Sequence, residues 1–132
     1  IEPIVVNETN PHSFLTADPM RLRQAFLNLF LNAIEAMPKG GRLTITMKTK
    51  YTSLEITIED TGSGIAQEDL PHIFDPFYSK KDGGTGLGLS ITQGIIEEHR
   101  GTIRLESLVG EGTRVFVELP FSQEKDKKDI LA

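Results

Sequence analysis

The chain has 132 residues, 38% of them hydrophobic and 25% charged, a globular balance with room for one domain and one core. Fourteen Lys and Arg against nineteen Asp and Glu leave a net charge of −5. That argues against nucleic acid as a partner, because phosphate backbones select for an excess of Lys and Arg. Cysteine is absent, which excludes disulfides, thiol nucleophiles and Cys-ligated zinc, and the three His residues are too scattered for a metal cluster. The longest apolar run, 25–31, is interrupted by Asn28 and is far too short to cross a bilayer. The N-terminus lacks the basic-then-apolar pattern of a signal peptide, and a start at Ile1 without Met reads as a fragment.

In chain order, residues 2–7 carry Ile4, Val5 and Val6 and read as a strand. After a break at Asn10-Pro11, residues 13–16 read as a short extended piece. Asp18-Pro19 is a helix start: Asp caps free N–H groups, and Pro fits the first helical position, where no N–H is needed. The helix is expected to reach about Met37, stopped by Pro38-Lys39-Gly40-Gly41. Its apolar residues lie almost all round, which predicts burial on most sides. Leu43, Ile45 and Met47, then Leu54, Ile56 and Ile58, alternate with polar residues. Period two predicts two half-buried strands that turn near 50–53. A glycine loop at 60–64, a short helix at 67–73 and a loop at 75–86 come next. A helix over 87–99 follows, closed by Gly101. Strands at 102–108 and 113–119 come last, and Pro120 ends the fold. The expected boundaries are a domain at 1–121 and a charged, frayed tail at 122–132. This order predicts an α/β two-layer sandwich, one mixed sheet with helices on one face.

On the first helix, Arg21, Gln24, Asn28, Asn32 and Glu35 are spaced 3, 4, 4 and 3 and share one face. Two readings stand. Asn is a poor helix former, and a buried amide without a partner costs about 1–3 kcal/mol, so the pair asks for a wet or ligand-filled cavity. Alternatively, the stripe is the solvated face of an amphipathic helix. Asp60-Thr61-Gly62-Ser63-Gly64 follows directly on an apolar strand. A carboxylate there can accept from an exocyclic amino group, and the glycines let a flat ligand approach the backbone. A plain turn would use the same residue types. Gly83-Gly84-Thr85-Gly86-Leu87-Gly88 leads into a helix, whose free N–H groups and positive dipole end make an anion site. It is not a Walker loop, since no Lys-Ser/Thr follows the last glycine; nor is 60–64 a dinucleotide fingerprint, whose third glycine would fall at Gln67.

Four segments in this order, 24–37 (QAFLNLFLNAIEAM), 60–65 (DTGSGI), 73–78 (IFDPFY) and 84–91 (GTGLGLSI), resemble the N, G1, F and G2 boxes of the sensor histidine kinase catalytic domain. That domain shares its ATP site, the Bergerat fold, with gyrase, Hsp90 and MutL. The resemblance spans about residues 4–120, and the run Asp75–Lys81 with its short lid is similar to the nitrogen-regulation and sporulation types. It implies a mixed, mainly antiparallel sheet with about three helices on one face. It also implies ATP as ligand and Mg²⁺ as metal. Asn32 would coordinate the Mg²⁺ and Asn28 would lie near the phosphates, both as catalytic residues. Asp60 would accept from the adenine amino group, in a pocket shaped by Gly62, Gly64 and Ile65. Phe74, counted with the ATP-binding residues, and Phe77 would anchor the lid. Lys80 and Lys81 would reach the phosphates. Gly84, Thr85, Gly86, Leu87, Gly88 and Leu89 would form the lid end and the phosphate-facing start of the helix.

The resemblance also separates subfamilies. Hydrolytic members place a Glu general base where this chain has Asn28. Water profits from a base, whereas an acceptor imidazole already carries a lone pair. Asn28 therefore favours transfer to histidine over rapid hydrolysis. None of His12, His72 and His99 sits in a phosphoacceptor context. The implied partners are a histidine-bearing dimerisation domain, absent from this chain, and a downstream response regulator. The domain alone is expected to be monomeric and cytoplasmic, with membrane anchoring of the parent protein left open. A serine kinase of the same superfamily is disfavoured by the F box and compact lid. A docking module without catalysis is disfavoured by the intact Asn32, Asp60 and glycines.

Overall fold

The computed structural model of the chain describes residues 1–9, 14–78 and 88–122. Helix α1 (Pro19–Glu35) begins as its sequence dictates: the Asp18 carboxylate accepts from the N–H groups of Met20 (3.1 Å) and Arg21 (3.2 Å), and Pro19 occupies the first turn. Strands β1 (Glu2–Glu8), β2 (Arg42–Thr49), β3 (Ser53–Asp60), β4 (Thr102–Leu108) and β5 (Gly112–Pro120) form one sheet in the order β1-β2-β3-β5-β4. The β1–β2 pair is parallel and the other three pairs are antiparallel. Helix α2 (Gly88–Glu98) falls within the expected span. The short helix expected at 67–73 is a single 3₁₀ turn, Leu70–His72. Pro71 lacks the N–H that a longer helix through that point would need.

Alternation sorts the sheet into two faces. Ile56, Ile58, Val115, Val117 and Leu119 point inward and are buried with Ala25, Leu29 and Ala33 of α1 and Ile95 and Ile96 of α2. The opposite face is polar. Arg114 pairs with Glu59 (2.8 Å), Lys50 pairs with Glu55 (2.7 Å), and the Arg104 guanidinium lies 3.7 Å from the Phe116 ring centre. The helices therefore cover one face of the sheet, as expected.

Burial of α1 on most sides does not hold. Leu27 and Leu31 are 51% and 52% exposed, and Ile34 is also open to solvent. The sheet and α2 bury the stripe through Ala25, Leu29 and Ala33, with Leu22, Phe26 and Phe30 partly buried beside it. Toward the end of the described residues, the Ser122 N–H donates to the Phe14 carbonyl (2.7 Å). The rest of the expected tail, 123–132, lies outside the described residues.

Candidate active site

A cavity of about 590 Å³ lies between the C-terminal half of α1, the sheet and the loop that follows β3. Asn28, Asn32 and Glu35 line it. The other half of the polar stripe does something else. Arg21 holds both carboxylate oxygens of Glu98 on α2 (2.7 and 2.9 Å), and Gln24 is exposed. The cavity-facing and solvated readings of the stripe are each right for one half of it.

The Asn28 amide is oriented by α2. Its Nδ2 donates to the Gly88 carbonyl (3.4 Å) and the Thr92 hydroxyl (3.3 Å). Its Oδ1 has no hydrogen-bond partner among the described residues. Among the described residues no buried side-chain oxygen lacks one, so Oδ1 is accessible.

Asp60 ends β3 and is only 7% exposed. Its Oδ1 accepts from the N–H groups of Gly62 (2.9 Å) and Thr113 (3.3 Å). Its Oδ2 accepts from no described residue and by the same accounting is accessible on the cavity that Asp60 lines. Burial pushes this carboxyl above the ordinary carboxylate range, and the two backbone N–H groups offset part of that shift.

The loop after β3 is pinned on two sides. The Ser63 N–H donates to the Ala36 carbonyl at the end of α1 (3.1 Å), and the Gly110 N–H donates to the Ser63 carbonyl (2.8 Å). Gly64 has φ +76°, and a Cβ there would strike the Leu108 carbonyl. Only glycine fits this close approach of two backbones. The Ile65 N–H donates to Ser107 Oγ (2.7 Å), and Gln67 Nε2 donates to the Ser107 carbonyl (2.8 Å).

Gly64, Ile65, Gly88 and Leu89 join Asn28, Asn32 and Asp60 on the cavity wall. Gly62 does not. It packs against α1, where a Cβ would come within 2.5 Å of the Ala36 carbonyl oxygen, and it serves the site only by donating to Asp60. Phe74 is also off the wall. Ile73, helical in its dihedrals after the 3₁₀ turn, is buried and lines the cavity in its place. Phe77 is 77% exposed, at φ +66°. Lys80, Lys81, Gly84, Thr85, Gly86 and Leu87 lie outside the described residues.

The polar lining residues missing from the expected site set include Asp69, Tyr78 and Thr113. Tyr78 Oη donates to Asp69 Oδ1 (2.5 Å), and both residues line the cavity. Thr113 lines it beside Asp60, its register partner on β5. Tyr78 closes the F-box segment, but Asp69 and Thr113 carry no local signal. Strand pairing, which sequence periodicity does not specify, brings Thr113 to the site.

The donor set fits a divalent cation held mainly by its ligand. Among the described residues no cluster of three His, Asp or Glu builds a cage. The hard oxygens of Asn28, Asn32 and Glu35 instead share one helix face and one cavity. Mg²⁺ is typically bound in this way, through one or two protein oxygens plus phosphates and water.

Residues 17–123 match the family described as histidine kinase-, DNA gyrase B-, and HSP90-like ATPase. The chain belongs to this family. Within it, the chain is 43% identical over 114 residues to sensor histidine kinase ZraS of Escherichia coli O157:H7, an alignment covering 86% of the chain and 24% of the relative. It is also 43% identical over 110 residues to sporulation kinase C of Bacillus subtilis (strain 168), covering 83% of the chain and 26% of the relative. The chain thus spans about a quarter of the length of these relatives. Among solved structures, a nucleotide-free catalytic domain of histidine kinase ThkA superposes with a TM-score of 0.76 at 37% identity, covering 89% of the chain and 80% of that domain. Full-length ShkA in complex with AMPPNP superposes at 0.79 with 28% identity, covering 92% of the chain and 26% of that protein. The chain is a histidine kinase-type ATPase domain.

Proposed function

We propose that this domain binds ATP with Mg²⁺ in the α1 cavity and transfers the γ-phosphoryl group to a histidine on a separate dimerisation domain. The observation that carries the reading is the Asp60 carboxylate. It is buried, one oxygen is committed to two backbone N–H groups, and the other is free to accept from a ligand inside the cavity. An adenine amino group is a donor that suits such an acceptor.

The triphosphate would run from there toward Asn28, Asn32 and the start of α2. Gly88 and Leu89 open that helix on the cavity wall, and a helix N-terminus favours anionic oxygens. Asn32, with Asn28 and Glu35 beside it, would hold the Mg²⁺, which when bound supplies charge neutralisation at the phosphates. Lys80, Lys81 and the glycines at 84 and 86 are proposed to complete the phosphate end.

Position 28 supports transfer to histidine over hydrolysis. Its amide already donates to Gly88 and Thr92, and an amide does not take a proton from water. An imidazole acceptor needs no such help. Rate enhancement then comes from positioning and from dipoles aimed at developing charge. A response regulator downstream and a cytoplasmic setting with access to ATP belong to the same proposal. No helix among the described residues is long and apolar enough to cross a membrane.

The test supplies the domain with ATP, Mg²⁺ and its histidine-bearing dimerisation domain. Acid-labile phosphate on that partner is the expected product. Acid-stable phosphate would reassign the acceptor to serine. ATP binding with no transfer would make the chain a nucleotide-binding module.

A further inference from the structure

Ser107 on β4 is 7% exposed and does not line the cavity. Its hydroxyl makes three contacts. It receives the Ile65 N–H (2.7 Å), it faces the Gly112 carbonyl (3.0 Å), and it faces the Thr113 hydroxyl (2.8 Å). A serine hydroxyl has one proton to give and two lone pairs to accept with. A carbonyl only accepts, so the single proton of Ser107 goes to Gly112. The Ile65 N–H occupies one lone pair. The other must take the proton of Thr113.

That assignment has a consequence one residue further on. Among the described residues Thr113 Oγ1 contacts no side chain but Ser107, and Thr113 lines the cavity beside Asp60, its partner across the strands. With its proton turned back to Ser107, it meets a ligand only as an acceptor. Asp60 Oδ2 is also an acceptor, so this end of the cavity presents lone pairs and no side-chain protons from either residue.

We propose that Ser107, without touching the ligand, sets the base selectivity of the cavity by fixing the direction of the Thr113 hydroxyl. A purine with an amino group at its 6-position brings donors to two acceptors. A purine with a carbonyl there, such as hypoxanthine, sets its O6 acceptor against these lone pairs, a mismatch that its N1–H donor offsets only in part, and is bound more weakly. Ser107 is then a positioning residue, and the inference rests on the adenine-nucleotide reading above.

The experiment measures Kd for ATP and for inosine triphosphate by calorimetry on the wild type and three variants, each checked for folding by circular dichroism. The wild type should prefer ATP. Ser107→Ala releases the Thr113 proton to turn toward a carbonyl in the cavity, and the ATP-over-inosine-triphosphate ratio should fall about tenfold, the scale of one hydrogen bond remade. Thr113→Val removes an acceptor that only ATP uses and should also narrow the ratio. Thr113→Ser keeps the hydroxyl and should restore it. A Ser107 that merely braces the hairpin would weaken both nucleotides together, so an unchanged ratio in Ser107→Ala overturns the inference. If Ser107→Ala does not fold, a wild-type ratio in Thr113→Val overturns it instead. Equal affinity of the wild type for both nucleotides removes the inference and leaves a nucleotide site. Binding of neither removes the adenine reading and the inference together.

Discussion

Replacing Asp60 by Asn keeps the side chain's hydrogen bonds within the folded domain and removes the one proposed to the ligand. The Asn Oδ1 can still accept from the Gly62 and Thr113 N–H groups, at 2.9 and 3.3 Å in the parent. The second oxygen becomes an NH₂ group aimed into the cavity, where it faces the amino group of adenine donor to donor. Losing a hydrogen bond to a charged acceptor costs about 1.5–3 kcal/mol. That corresponds to an ATP affinity roughly 10- to 150-fold weaker. The folded state should not suffer. The carboxylate is buried and its proton affinity is raised by that burial, so a neutral amide removes a desolvation cost. Calorimetry with ATP and Mg²⁺, paired with urea unfolding, reads both quantities. The expected result is weaker binding at equal or higher urea midpoint. Equal affinity would take Asp60 out of the adenine role. Weak binding with a large loss of stability would refute the claim that Oδ1 alone supports the loop.

The raised Asp60 carboxyl also predicts a pH dependence. A carboxyl whose proton affinity is higher in the folded state contributes stability below its unfolded value of 3.8, and that contribution is lost as pH rises through the folded value. The stability advantage of Asp60→Asn over wild type should therefore be largest at neutral pH and shrink toward pH 4; a constant difference in urea midpoint would show that Asp60 does not titrate this way. Asn32→Ala should abolish most of the Mg²⁺ enhancement of ATP binding, and equal enhancement in both proteins would remove Asn32 as a metal ligand. Gly64→Ala forces a left-handed φ of +76° and drives a Cβ into the Leu108 carbonyl, which should destabilise the domain by about 2–4 kcal/mol in urea unfolding. Gly110→Ala, at φ +83° with nothing within 4 Å, should cost only about 1–2 kcal/mol, and equal losses at the two sites would show that the close approach at Gly64 does not matter.

Local chemistry wrote much of this fold plainly. Asp18-Pro19 starts α1 because a short acceptor and a ring without N–H suit a first turn, and the two period-two runs became β2 and β3. Asp60, the glycine loop and the two Asn residues were legible because each is an odd choice for its place: an acid at the end of an apolar strand, amides in a helix interior. What stayed hidden depends on long-range pairing. Nothing within residues 2–8 says that β1 lies parallel to β2, and nothing within 112–120 says that Thr113 meets Asp60. Gly62 was assigned to the pocket because glycine permits a ligand or another backbone to approach, and the sequence does not say which. Here it is the end of α1. The exposed Leu27, Leu31 and Ile34 misled for a similar reason, since apolar residues report what a helix could bury and not which of its sides is covered.

The central claim is that the cavity is an adenine nucleotide site that works with Mg²⁺. Calorimetric titration of the wild-type domain with ATP, with and without Mg²⁺, and with GTP as the control, tests it most directly. The account predicts ATP binding that Mg²⁺ strengthens and that GTP does not reproduce. Equal heats for ATP and GTP, or ATP binding indifferent to Mg²⁺, would contradict it.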